Sequence, residues 1–146
     1  MSRLVAFESK VFRVILGGVP LEDGRSDPFF KITPRGDAYV TEGPGADGHY
    51  AICGTNDDGY DIELSFKGTS SCNEVLSAMH IADRKAFNGA GILPLLVQDE
   101  SGSTLIQTDQ CRIMSMAEQT VGVTKGDVNW KLFAKIAPGS FVLGGN

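Results

Sequence analysis

The chain has 146 residues, 42% of them hydrophobic, and a formal charge of −5. That length fits a single domain, 1–146, able to bury a core without disulfides or metal, and the composition excludes a disordered tail. No apolar run approaches bilayer length, which argues against a membrane role.

Residues Met1 to Glu8 lack the apolar centre of a secretory signal, so folding in a cytoplasm is expected. Cys53, Cys72 and Cys111 are odd in number and far apart, against a disulfide framework or a close-spaced zinc site. Between Glu22 and Glu63, ten Asp or Glu face only Arg25, Lys31 and Arg35, whereas from Ser101 onward the balance is slightly positive. A protein that grips nucleic acid does so by replacing counterions with Lys and Arg, and no such patch is evident, so tight binding is not expected.

The first strand signal is the β-branched, apolar run Val11 to Leu16, closed by Gly17-Gly18. A second lies at Phe29 to Ile32, bounded by Pro28 and Pro34, which cannot donate to a ladder. From Pro34 to Gly59 the signal weakens into a Gly-rich stretch with β formers at 38–41 and 50–52. We read it as a long loop, arm or loose hairpin, a length that is usually functional or disordered. Tyr60 to Lys67 then alternates strictly, with Tyr60, Ile62, Leu64 and Phe66 on the apolar face and Asp61, Glu63, Ser65 and Lys67 on the other.

The period changes at Cys72. Cys72, Val75, Leu76, Met79, Ala82 and Ala86 form one stripe of a helix over 72–86. Ser71 and Glu74 have capping-box spacing at its start, Arg84 and Lys85 suit its last turn, and Asn88-Gly89 suits its exit. Ile92 to Gln98 reads as a strand buried on both sides or at an interface, with Pro94 at an edge or bulge. A turn at 99–102 leads into strands at 103–108 and 111–116. In the strand 129–136, Trp130, Leu132, Ala134 and Ile136 share one face, and Phe133 is an aromatic on the polar face that needs a partner. Phe141 to Leu143 closes the chain. About six to eight strands and one helix give a mainly β protein, a β-sandwich or barrel with one flanking α-helix.

Catalytic chemistry finds no constellation here. His80 has no ligand-type partner one turn on, and reads as a surface or boundary residue. His49 has no nucleophile elbow to serve. Asn56 to Gly59 resembles half of a calcium loop, but aligned on Gly59 the first and twelfth positions are Gly54 and Ser65. Asp61 and Glu63 are two carboxylates on one strand face, an arrangement more often solvated than catalytic. No enzyme activity, cofactor or metal is expected.

Read together, several segments resemble the tail tube proteins of contractile-tailed bacteriophages: Gly45-Ala46-Asp47-Gly48, the helix segment Asn73 to Arg84, Gly89 to Asp99, and the terminal Leu143-Gly144-Gly145-Asn146. The resemblance rests on their order and spacing from about Val11 onward, and 117–126 fits it least. It implies a structural virion protein assembled in the host cytoplasm into hexameric rings. The rings stack as a hollow tube beneath a tail sheath, with baseplate and tail terminator proteins as partners and DNA passing through without tight binding. Type VI secretion tube proteins share the fold. On this reading, Asp61, Glu63, Ser65 and Lys67 line the lumen, and Thr41, Glu42, Gly43, Pro44, Gly45, Ala46, Asp47 and Gly48 form an inter-subunit arm. Another tail or baseplate component of the same fold, and an unrelated β-sandwich binding module, remain as alternatives.

Overall fold

Alternating side chains in strands and a three-and-four spacing in one helix yield ten strands and a helix in the computed structural model, which describes residues 12–55, 57–86, 91–99 and 103–144. The elements are β1 (Phe12–Leu16), β2 (Val19–Pro20), β3 (Arg25–Pro34), β4 (Tyr39–Glu42), β5 (Ala51–Gly54), β6 (Gly59–Phe66), α1 (Cys72–Ala86), β7 (Leu93–Asp99), β8 (Leu105–Ile113), β9 (Val128–Lys135) and β10 (Phe141–Val142). One antiparallel sheet runs β2-β1-β7-β8-β9-β6-β3, with β10 added to β8, and β4-β5 form a separate two-stranded ribbon. The expected helix exit at Asn88-Gly89 and most of the turn after Asp99 fall outside the described residues.

The sheet curls over on itself. Phe12 in β1 meets Phe29 and Phe30 in β3 with ring centroids 5.7 Å apart, although these strands lie near opposite ends of the sheet order. Arg25 strengthens that seam, its guanidinium donating to the Phe12 carbonyl at 2.6 Å and the Leu21 carbonyl at 3.1 Å. Inside lies one cluster that takes Val14 and Leu16 from β1, Ile62, Leu64 and Phe66 from β6, Leu95 and Val97 from β7, and Trp130, Leu132 and Ala134 from β9. Each fully buried large side chain contributes about 1.5–3 kcal/mol of transfer free energy, so these inward rows dominate the stability of the fold. The architecture is mainly β, a rolled sandwich with one flanking helix.

α1 spans the expected residues, but its start and its buried stripe differ from expectation. No capping box forms: the carboxylate of Asp23 accepts from the Ser71 amide at 2.9 Å and the Ser71 hydroxyl at 3.0 Å, and Ser70 Oγ accepts from the Cys72 amide at 3.1 Å. A carboxylate from the distant β2–β3 turn therefore does the work that a local glutamate would do. Gly24 makes that approach possible, because at φ 61° a Cβ there would lie 2.7 Å from Ser70 Cβ. Cys72 and Leu76 enter the core as expected, yet the next buried positions are His80 and Asp83 while Ala82 and Ala86 face outward. His80 is thus buried and not a surface residue. The indole N–H of Trp130 donates to Asn73 Oδ1 at 3.1 Å, fastening the helix to β9.

Four strand expectations are revised. β3 is ten residues long and includes both prolines, which an edge strand tolerates; its pairing with β6 is irregular between Arg25 and Phe30. β7 is buried on one face and not on both, while Pro94 sits, as expected, at an irregularity, exposed where the pairing with β8 shifts. The strands expected at 103–108 and 111–116 are one continuous β8, and Met114 and Met116 leave the sheet exposed. Residues 117–126 hold one isolated bridge, Val121 to Lys125.

Candidate functional site

The arm expected at 34–59 holds a hairpin that lies beyond the end of the β3–β6 ladder, as a separate two-stranded sheet. Pro34 pairs with Tyr60, and further out Tyr39 pairs with Gly54, Val40 with Cys53, Thr41 with Ile52 and Glu42 with Ala51. Every residue of β4 and β5 is exposed. Directly opposed residues share a face, so Tyr39, Thr41 and Ile52, with Tyr50 two residues earlier, line one side, and Val40, Glu42, Ala51 and Cys53 the other. Tyr39 is 68%, Tyr50 68% and Ile52 71% exposed, an unpartnered apolar face at one end of the molecule.

Its tip is ordered by its own hydrogen bonds. The Gly45 amide donates to the His49 carbonyl and the Gly48 amide to the Gly45 carbonyl, both at 2.9 Å. Asp47 accepts from the His49 amide at 3.2 Å and lies 3.0 Å from the His49 ring. Gly43, at φ 126°, has no room for a Cβ, which would meet the His49 carbonyl at 2.7 Å. At the base, the Asp57 carboxylate accepts from the Gly59 amide at 3.0 Å, an Asx turn at the described end of the segment that resembled a calcium loop; Asn56 lies outside the described residues.

The second candidate is the outward face of β6. Ile62, Leu64 and Phe66 are buried; Asp61, Glu63 and Lys67 are exposed, and Ser65 is partly so. The four residues do share one face, but the carboxylates are not alone on it. Asp61 holds the Arg35 guanidinium at 2.7 Å, and that bond raises Arg35 further above its ordinary range. Arg35 in turn lies over the Phe133 ring, 4.3 Å from its centroid, and so partners the aromatic that the alternation left on the polar face. Glu63 stands directly between Lys31 on β3 and Lys131 on β9. Ser65 donates to Asn129 Oδ1 across the same ladder. With Lys67 and Lys135 added, the wall is a mosaic in which cations outnumber the two carboxylates.

Among the described residues no group of His, Cys, Asp and Glu is placed to hold a metal ion. No helix among them is long and apolar enough to cross a membrane. A feature that sequence reasoning missed is the junction of α1 with β8, where Asp83 meets Arg112; its one signal is the position of Asp83, seven residues after Leu76 and four after Met79, on the side of the helix that carries the apolar stripe.

No protein-family model matches the chain. It is similar to a protein named Structural protein ORF10 of Pseudomonas phage KPP10, with 33% identity over 73 residues, 50% of this chain and 42% of that protein. The match therefore spans less than half of the relative's length.

Proposed function

We propose that this chain is a structural protein of a phage virion that forms hexameric rings stacked into the inner tail tube through which DNA is delivered. The observation that carries the reading is the hairpin. A two-stranded ribbon standing clear of its own core is marginal alone, and one with three large exposed apolar side chains on one face gains stability only against another surface. Similarity to a phage structural protein supports a virion role.

On this reading the protein is not an enzyme and takes no cofactor. Its partners are copies of itself, the sheath, and the baseplate and terminator proteins at the tube's ends. Residues 41–48 are the arm to the neighbouring subunit. The face of Asp61, Glu63, Ser65 and Lys67 lines the channel, where carboxylates interspersed among lysines limit the positive potential offered to passing phosphate.

Electron microscopy of the purified protein tests the reading, with long hollow filaments expected. Deleting the residues between Thr41 and Tyr50 removes the tip while leaving the core and its ladder, so the variant is expected to fold without stacking. Tubes of ordinary length from that deletion, or a wild-type protein that stays monomeric at all concentrations, would falsify it.

A further inference from the structure

We infer that Asp47 is a self-modifying residue, which the adjoining Gly48 amide and His49 imidazole convert through a cyclic imide into isoaspartate. The chemistry needs no second copy of the chain and stands apart from the tube reading. Three Asp-Gly pairs occur, Asp23-Gly24, Asp47-Gly48 and Asp58-Gly59, and glycine favours the reaction in each because no β-carbon shields the attacking nitrogen. The fold separates the three.

Around Asp47 the requirements coincide. Residues 41–50 are all exposed, the Asp47 and His49 side chains at 66% and 85%. Oδ1 accepts from the His49 amide at 3.2 Å, an Asx turn in which the side chain bridges the Gly48 peptide and keeps Cγ close to its nitrogen. The approach is open, since a Cβ built on Gly48 meets no atom within 4 Å. Oδ2 lies 3.0 Å from His49 Nδ1, so the oxygen that must leave has a transferable proton beside it. The tip's own backbone bonds, from the Gly45 amide to the His49 carbonyl and from the Gly48 amide to the Gly45 carbonyl, open without disturbing the core.

The other two pairs lack these features. The Asp23 carboxylate accepts from the Ser71 amide and hydroxyl, which hold it below the ordinary carboxylate value, in its charged and unreactive form, and neither of which gives up its proton. Gly24 is also pressed against Ser70. Gly59 is buried in β6, where its amide donates to Asp57 and a Cβ would stand 2.9 Å from the Phe133 ring. The Asp58 carbonyl accepts from the Ile136 amide at 3.1 Å, so that peptide turns toward its carboxylate only when β6 and β9 part.

The step balances without oxidant or cofactor. A bond forms between the Gly48 nitrogen and Asp47 Cγ, and the Cγ–Oδ2 bond breaks. The oxygen leaves as water, carrying the amide proton and the proton of the His49 imidazolium, and the imidazole is reprotonated from solvent. Water then adds to the imide. Attack at Cγ restores aspartate, whereas attack at the main-chain carbonyl of Asp47 gives isoaspartate, with one more carbon in the main chain and the carboxylate on Cα. The hairpin tip thus has a chemical lifetime of its own.

Purified protein held for weeks at neutral pH and digested with trypsin tests this, with electron-transfer fragmentation locating isoaspartate in each peptide. Asn88-Gly89, outside the described residues, yields the same product with loss of ammonia and is told apart by its position. Isoaspartate is expected at Asp47 by about tenfold over Asp23 and Asp58, which react only in the locally opened fraction, and equally at all three in urea. His49→Gln keeps a polar side chain at the exposed tip without a transferable proton, and is expected to slow the native reaction at Asp47 by at least about tenfold. Equal accumulation at the three sites in native protein, or an unchanged rate in His49→Gln, would overturn the inference.

Discussion

Arg112 on β8 grips Asp83 on α1 with two parallel bonds, Nε to Oδ2 at 2.9 Å and a terminal nitrogen to Oδ1 at 2.8 Å. Asp83 is buried, and its carboxylate is packed so closely that a Cβ on Gly91 would fall 2.0 Å from its Cγ. Only glycine fits there. The Arg112 guanidinium holds Asp83 below the ordinary carboxylate value of 3.8, because the bonds favour its charged form over the cost of burial. A depressed folded-state value adds stability that is complete above the unfolded value and disappears as pH falls through the folded one. Urea midpoints are therefore expected to decline below about pH 4. In Asp83→Asn, Asp83's own share of that decline should be absent, with a lower midpoint at pH 7. This loss should exceed that of Asp61→Asn, whose pair with Arg35 is half exposed. Equal losses from the two variants would contradict the anchoring role.

His80, one turn earlier, is buried with neither ring nitrogen hydrogen-bonded among the described residues. A buried polar atom without a partner costs about 1–3 kcal/mol, and replacing it by an apolar group of similar size removes that cost. His80→Leu is expected to raise thermal stability by about 1 kcal/mol, measured by calorimetry at pH 7. A destabilised variant would show that the imidazole has a partner in solution.

The three thiols should separate cleanly. Cys53 is exposed on the hairpin, whereas Cys72 and Cys111 are buried, and burial pushes Cys111 up to about 12. The thiolate is the reactive form, and at pH 8 a group with that value is ionised in only about one molecule in ten thousand. Titration of native protein with a chromogenic disulfide is expected to give one fast equivalent, and the other two only on unfolding. Three equally fast equivalents would mean that the helix and the sheet open together on the reagent's timescale.

Local patterns were read well and distant partnerships poorly. The alternation from Tyr60 to Lys67 placed Ile62, Leu64 and Phe66 inside, and the spacing after Cys72 identified α1, because both depend on residues a few positions apart. The cap of that helix was assigned to Glu74 because nothing nearby points to Asp23, which arrives from 48 residues away. The sequence breaks β8 at Asp109-Gln110, two polar residues between the expected strands 103–108 and 111–116; they stay in the strand because Thr108 pairs with β7 and Cys111 with both β7 and β9. Of the site, the exposed row on β6 was legible from its period of two. That Lys31, Arg35 and Lys131 would surround its carboxylates was not, since register between β3, β6 and β9 is a property of the whole sheet.

The mosaic on that face leads to the final prediction. Asp61 and Glu63 are the two carboxylates set among Lys31, Arg35, Lys67, Lys131 and Lys135, so neutralising them leaves those five cations without an opposing charge among them. Asp61→Asn with Glu63→Gln keeps the side-chain shapes, and an exposed ion pair contributes little, so folding and ring formation should survive. If the face lines the channel, each ring repeats the unopposed cations around its circumference. Phosphates then release counterions on contact with the wall. Virions or tubes carrying the double variant are expected to retain duplex DNA at low salt and to deliver it more slowly. The logarithm of the retention constant should fall linearly with the logarithm of salt concentration, with weaker retention by the wild type at each ionic strength. Equal DNA retention and equal delivery by the two proteins would place this face away from the channel, and a density map with Glu63 on the outer wall would do so directly.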